Sequence, residues 1–173
     1  MKKILVALIT LGLLLAPISA VQAQTNSEIV YILLWHADDT VTVDAGNTIV
    51  LRHRWGACTY GLVKAYLTSV HTELSIDSGS IYVADGKDQY WGPIVFHEAE
   101  DPTQQYCIAG NKRGGWIAFW DVPIGILEPG EHEVYFHHWM DHPVHDGGDY
   151  DQDGHLDPPS VSIRERTITI VVE

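Results

Sequence analysis

Apolar and polar residues alternate at period two in segment after segment beyond the first few dozen residues, as expected of strands with one buried face. Ile49, Leu51, His53 and Trp55 share one face of such a segment, and Val50, Arg52 and Arg54 take the other. Similar runs predict strands at 28–35, 40–43, 70–76, 80–84, 94–97, 116–120, 131–140 and 161–172. Turn formers separate them, among them Asp77-Ser78-Gly79, Asp85-Gly86, Gly114-Gly115 and Pro129-Gly130. Asp44-Ala45-Gly46-Asn47 reads as the turn of a hairpin joining 40–43 to the strand that begins near Ile49. Eight or nine short strands predict an all-β fold, an antiparallel sandwich or barrel.

One segment breaks the period. From Thr59 to Ser69, Leu62, Val63, Tyr66 and Leu67 recur at helical spacing, with Thr59 placed to cap the start. One short helix is expected there. The chain shows no internal repeat and no low-complexity linker. Its first residues follow a different rule: Lys2 and Lys3 precede an apolar run from Ile4 to Leu15, then Val21-Gln22-Ala23. That order predicts a secretory signal peptide over 1–23 and a mature domain over 24–173, placed outside the cell, in the periplasm or on the cell surface. The run is shorter than the roughly 20 residues needed to cross a bilayer, so no membrane span is expected.

Charge sharpens this picture. The 173 residues carry 10 Lys+Arg against 23 Asp+Glu, a formal net charge of -13. Setting aside 1–23, which holds two Lys and no acid, leaves 8 basic and 23 acidic residues, a net of -15. Such a balance excludes nucleic acid as a partner, since phosphate binding needs clustered cations. In an oxidising compartment the two cysteines, Cys58 and Cys107, are expected to form a disulfide.

Leu127-Glu128-Pro129-Gly130-Glu131-His132-Glu133-Val134 resembles the leucine, proline-glycine turn and following strand of many bacterial immunoglobulin-like modules, with His132 where a Tyr often stands. Arg166 to Val172 resembles their closing strand. The resemblance implies an antiparallel immunoglobulin-like sandwich of about eight strands with one short helix, and no particular activity.

Between those two strands, residues 141–159 hold six Asp and no Lys or Arg, so folding crowds like charges together. Asp149, Asp151, Asp153, Gly154 and Asp157 match positions 1, 3, 5, 6 and 9 of a calcium-binding loop, and His155 supplies a backbone carbonyl at position 7. Oxygens at alternate residues of a tightly wound loop point at one centre, and glycine permits the sharp turn. The segment resembles the D-x-D-x-D-G loops of EF-hands, dockerins and thrombospondin-type repeats. It departs at position 12, where Ser160 replaces the bidentate Glu and leaves Asp146 or Glu165 to complete the shell. The metal expected is Ca²⁺, held with a dissociation constant on the order of 0.1–1 mM.

Six of the ten His fall between His132 and His155. His137, His142 and His145 would form a Zn or Cu site if the chain turned after Met140, and an open position there would be catalytic in type. By strand parity His132 and His138 go with Val134, Phe136 and Met140, and His137 with Tyr135 and Trp139. Among the six Trp, Trp91, Trp116, Trp120 and Trp139 are candidates for an exposed sugar-stacking ring. Three readings follow. The first is a noncatalytic, calcium-binding module for an extracellular protein or glycan; the others are a metal-dependent hydrolase using residues 132–157 and a carbohydrate-binding module.

Overall fold

The computed structural model describes residues 27–35, 39–79, 82–98, 107, 114–149, 151, 153–159 and 164–173. The expected leader, 1–23, and Ser160 lie outside them. Nine strands and one helix are present among these residues: β1 (Ile29–Leu33), β2 (Thr40–Val43), β3 (Thr48–Ala57), α1 (Tyr60–Ser69), β4 (Val70–Ile76), β5 (Tyr82–Asp85), β6 (Val95–Glu98), β7 (Gly114–Gly125), β8 (Gly130–Met140) and β9 (Arg164–Val172). They form two sheets, one ordered β1-β3-β7-β6 and the other β2-β9-β8-β4-β5. The fold is therefore all-β with one short helix, as the alternation required. No helix among the described residues is long and apolar enough to cross a membrane.

Both sheets are mixed. β1 runs parallel to β3 and β2 parallel to β9, while the remaining pairs are antiparallel. The expected hairpin of β2 with β3 does not form, because the two strands belong to different sheets. The turn itself is present. Gly46 sits at φ +86 and the Asn47 N–H donates to the Asp44 carbonyl at 3.3 Å. It carries the chain around a corner between sheets, and the Ala45 N–H beside it donates to the Glu173 carbonyl at 2.6 Å. Alternation states which face of a strand is buried; it is silent on which strand lies alongside.

The helix forms where its spacing placed it. The Thr59 hydroxyl accepts the Leu62 N–H at 3.3 Å, and Val63, Tyr66 and Leu67 are buried. Tyr66 stacks on Trp55 with ring centres 4.3 Å apart. The inward residues of both sheets enclose an aromatic centre of Trp91, Trp120, Phe136, His53 and His138. Burial, reinforced by the charges of Arg164 and Arg54, pushes the His53 imidazole down to about 3. Desolvation likewise drives His138 well below its usual range, with His53 and His137 adding to it. Both rings are neutral at neutral pH.

Candidate metal centre

The segment between β8 and β9 is fastened to the body at its entry. Val144 is buried, the Cys58 N–H donates to the Asp146 carbonyl at 2.7 Å, and Gly148 makes a β-bridge with Cys107. Cys58 and Cys107 are disulfide-bonded, with Cα atoms 5.3 Å apart. Both halves of the cystine thus hold the loop through their backbones, and the helix begins two residues beyond Cys58. The Asp146 side chain accepts the Gly148 N–H at 2.8 Å, and the Asp157 N–H closes back on the Gly148 carbonyl at 3.0 Å.

Inside that closure the chain winds around the first Asp. Asp149 is 7% exposed; one of its oxygens accepts the Asp153 N–H at 3.1 Å and the other the Gly154 N–H at 3.0 Å. The Asp153 N–H is shared with Asp151 at 3.2 Å, and Asp153 itself accepts the His155 N–H at 2.8 Å. Gly154 takes φ +89, a conformation that an L side chain resists even where, as here, space is open. One oxygen from each of Asp149, Asp151 and Asp153 lies within 4.8 Å of the others. The Asp153 N–H favours ionised Asp151, but desolvation, the Asp149 side chain and the charges of Asp153 and Asp157 outweigh it and raise the Asp151 carboxyl above its ordinary value. Like charges are being held together against their repulsion.

Of the five expected ligands, the three alternate Asp residues converge. His155 is exposed and one residue beyond the turn. Asp157 stands outside the 4.8 Å triplet but close enough to act on Asp151 by its charge. Asp146 is committed to Gly148, and Glu165 accepts the Tyr135 hydroxyl at 3.2 Å on the outer face of the second sheet. Among the described residues the Asp triplet is the one group of three or more ligating side chains; His137, His142 and His145 form no such group. His137 stands on the outer face, stacked on Trp139 at 4.5 Å. Trp91 and Trp120 are buried, while Trp116 and Trp139 are half-buried.

A second fastening escaped sequence reasoning. His71 of β4 lies 2.6 Å from Asp85 through Nδ1 and 2.9 Å from Asp141 through Nε2. The Asp141 contact and then the Asp85 contact raise its pKa. It joins β5 and the start of the acidic segment to β4, and no local pattern links these three positions.

The class this defines is an all-β, two-sheet protein with one helix and one disulfide, carrying an acidic triplet that could hold a metal ion. No protein-family model matches the chain, and no curated protein matches its sequence. Among solved structures it is similar to EhICP2, a cysteine protease inhibitor from Entamoeba histolytica, at 9% identity, covering 86% of this chain and 98% of that one with a TM-score of 0.34. It is also similar to Amebosin, at 11% identity over 84% and 98% of the two chains, with a TM-score of 0.28. Likeness at that level carries no argument about activity or partner.

Proposed function

We propose that the chain is an exported, noncatalytic β-sandwich module whose β8–β9 loop binds Ca²⁺ and presents a rigid surface to an extracellular protein or glycan. Asp149, Asp151, Asp153, the His155 carbonyl and Asp157 are the ligands. The observation that carries this reading is the convergence of three carboxylate oxygens around a buried Asp149 whose loop N–H bonds are already made. Oxygen donors of this kind suit a hard cation, and a loop with several carboxylates favours Ca²⁺ over the smaller Mg²⁺. Binding offsets the repulsion among the Asp residues and orders the segment joining β8 to β9.

At Ca²⁺ about a hundredfold above its dissociation constant, the folded state gains roughly 2.7 kcal/mol. For a domain of this size that raises the thermal midpoint by roughly 5–10 °C. Calorimetry at about 10–100 mM Ca²⁺, which is about a hundredfold above that dissociation constant, and with chelator tests this. Asp149→Ala combined with Asp151→Ala abolishes the shift while the strands remain folded. An unshifted midpoint in the wild-type protein would sink the reading.

A further inference from the structure

The centre of the sandwich contains polar atoms that the acidic loop does not reach. His53 of β3 and His138 of β8 face each other from opposite sheets, 4% and 1% exposed, with ring planes at 90° and centres 4.6 Å apart. Neither nitrogen of either ring has a hydrogen-bond partner among the described residues, nor do the Thr72 hydroxyl and the Trp91 N–H. Thr72 lies opposite His138 in the β4–β8 register, and the Trp91 ring centre is 6.0 Å from His138 and 6.1 Å from His53. The unpaired groups therefore lie in one place. A buried polar group left without a partner loses its hydration for nothing, and Phe at either His position would avoid that loss.

We propose that His53 and His138 are the ligands of a buried, soft, singly charged metal ion, Cu(I). Neutral imidazole is the ligating form and suits copper. With metal–nitrogen bonds of about 2 Å, each ring centre sits about 3 Å from the ion. Two ligands diverging by roughly 90–120° then place the ring centres roughly 4.5–5.5 Å apart, a range that includes the observed 4.6 Å. A linear pair would need them farther apart, so the geometry calls for a third donor. Met140, the one methionine beyond Met1, is buried on the same inward face of β8 one pleat past His138, and thioether sulfur is a soft donor.

Charge selects the ion. The charged groups acting on the two rings are Arg54 and Arg164 at His53, and the titratable neighbours at His138 are His53 and His137. Among the described residues no carboxylate acts on them, so a dication would be opposed more strongly than a monocation. Trp91, Trp120 and Phe136 wall the rings with aromatic faces. The described chain has no free thiol to compete, both cysteines being joined.

Ag(I), a redox-inert probe, and Cu(I) under reducing gas are each added to the full mature chain, followed by desalting, elemental analysis and tryptophan fluorescence. About one equivalent is retained and emission from the adjoining Trp91 and Trp120 is quenched, as expected for a soft imidazole-bound ion. His53→Phe and His138→Phe each remove both effects, whereas Asp149→Ala with Asp151→Ala keeps them, so this inference and the calcium reading fail separately. Retention that survives both His substitutions, or no retention by the folded wild type, overturns it. Should a variant not fold, ring-nitrogen resonances of His53 and His138 in the wild type decide: they shift on loading, and unchanged resonances overturn the assignment.

Discussion

Strand parity places His132 with the inward residues of β8, yet it lies at the strand's start, where the sandwich opens. There its Nδ1 is 2.7 Å from Asp77, its Nε2 is 2.8 Å from the Glu128 carbonyl, and Asp77 also accepts the Glu133 N–H at 2.8 Å. The Asp77 bond and then the Glu128 carbonyl raise His132 above 6.5. The His132 bond and then the Glu133 N–H lower Asp77 below 3.8. The His132 contribution is full below 6.5 and fades as pH rises through its folded value. The Asp77 contribution is full above 3.8 and fades as pH falls through its folded value. Their shared stabilisation is therefore greatest between 3.8 and 6.5. The gap in thermal midpoint between wild type and His132→Gln is largest near pH 5 and shrinks by about pH 9. A gap that does not vary with pH refutes the assignment. Parity alone identified the face of His132 but could not show how far along that face the core extends.

At the scale of elements, local signals place the helix and the strands, while their tertiary partners lie beyond those signals. The helix and β4 fall where their spacing placed them, since both are set by residues within a turn or two. β7 is longer than the expected 116–120: it takes in Gly114-Gly115, expected as a turn, and continues through Pro123 to Gly125. Pro123 is nonetheless accommodated: it is exposed and pairs with Val50 where the β3–β7 register shifts, so its missing N–H falls at an irregularity. The cystine was legible from the count of two, but its hold on the acidic loop was not, because that rests on backbone groups of Cys58 and Cys107. Replacing both cysteines by Ser is expected to cost up to about 4 kcal/mol, most of it through the unfolded chain. If the acidic loop holds Ca²⁺, the same change is expected to weaken that binding severalfold by releasing Asp146 and Gly148. Calorimetry and Ca²⁺ titration of the double variant check the two effects separately; unchanged affinity would mean that the loop orders itself without the bridge.

Across the whole molecule the two outer faces differ. On the first sheet Arg52 pairs with Asp121 through two 2.6 Å hydrogen bonds and lies over Tyr31, near the exposed Ile29 and Leu33. The second sheet presents Glu73, Glu165 and Asp85 around His71, His137 and Trp139. With a net charge of -13, like-charge repulsion opposes compaction. Raising NaCl from about 0.01 to 1 M shortens the screening length from about 30 to about 3 Å, and the thermal midpoint rises by a few degrees. CaCl₂ at matched ionic strength raises it further if the Asp triplet binds the ion. Equal effects of the two salts would reduce calcium to a screening ion.

The sequence by itself determined which segments are strands, where the helix starts, that two cysteines had only each other, and that Asp149, Asp151 and Asp153 alternate around a glycine turn. All of these depend on neighbours within a few residues, where periodicity and backbone sterics act. Only the tertiary structure decided that β1 and β2 join different sheets in parallel, that the cystine holds the acidic loop, and that His53 and His138 meet across the core. Those outcomes depend on which surfaces pack together across long stretches of chain, and a period of two gives every strand the same buried face without naming its neighbour.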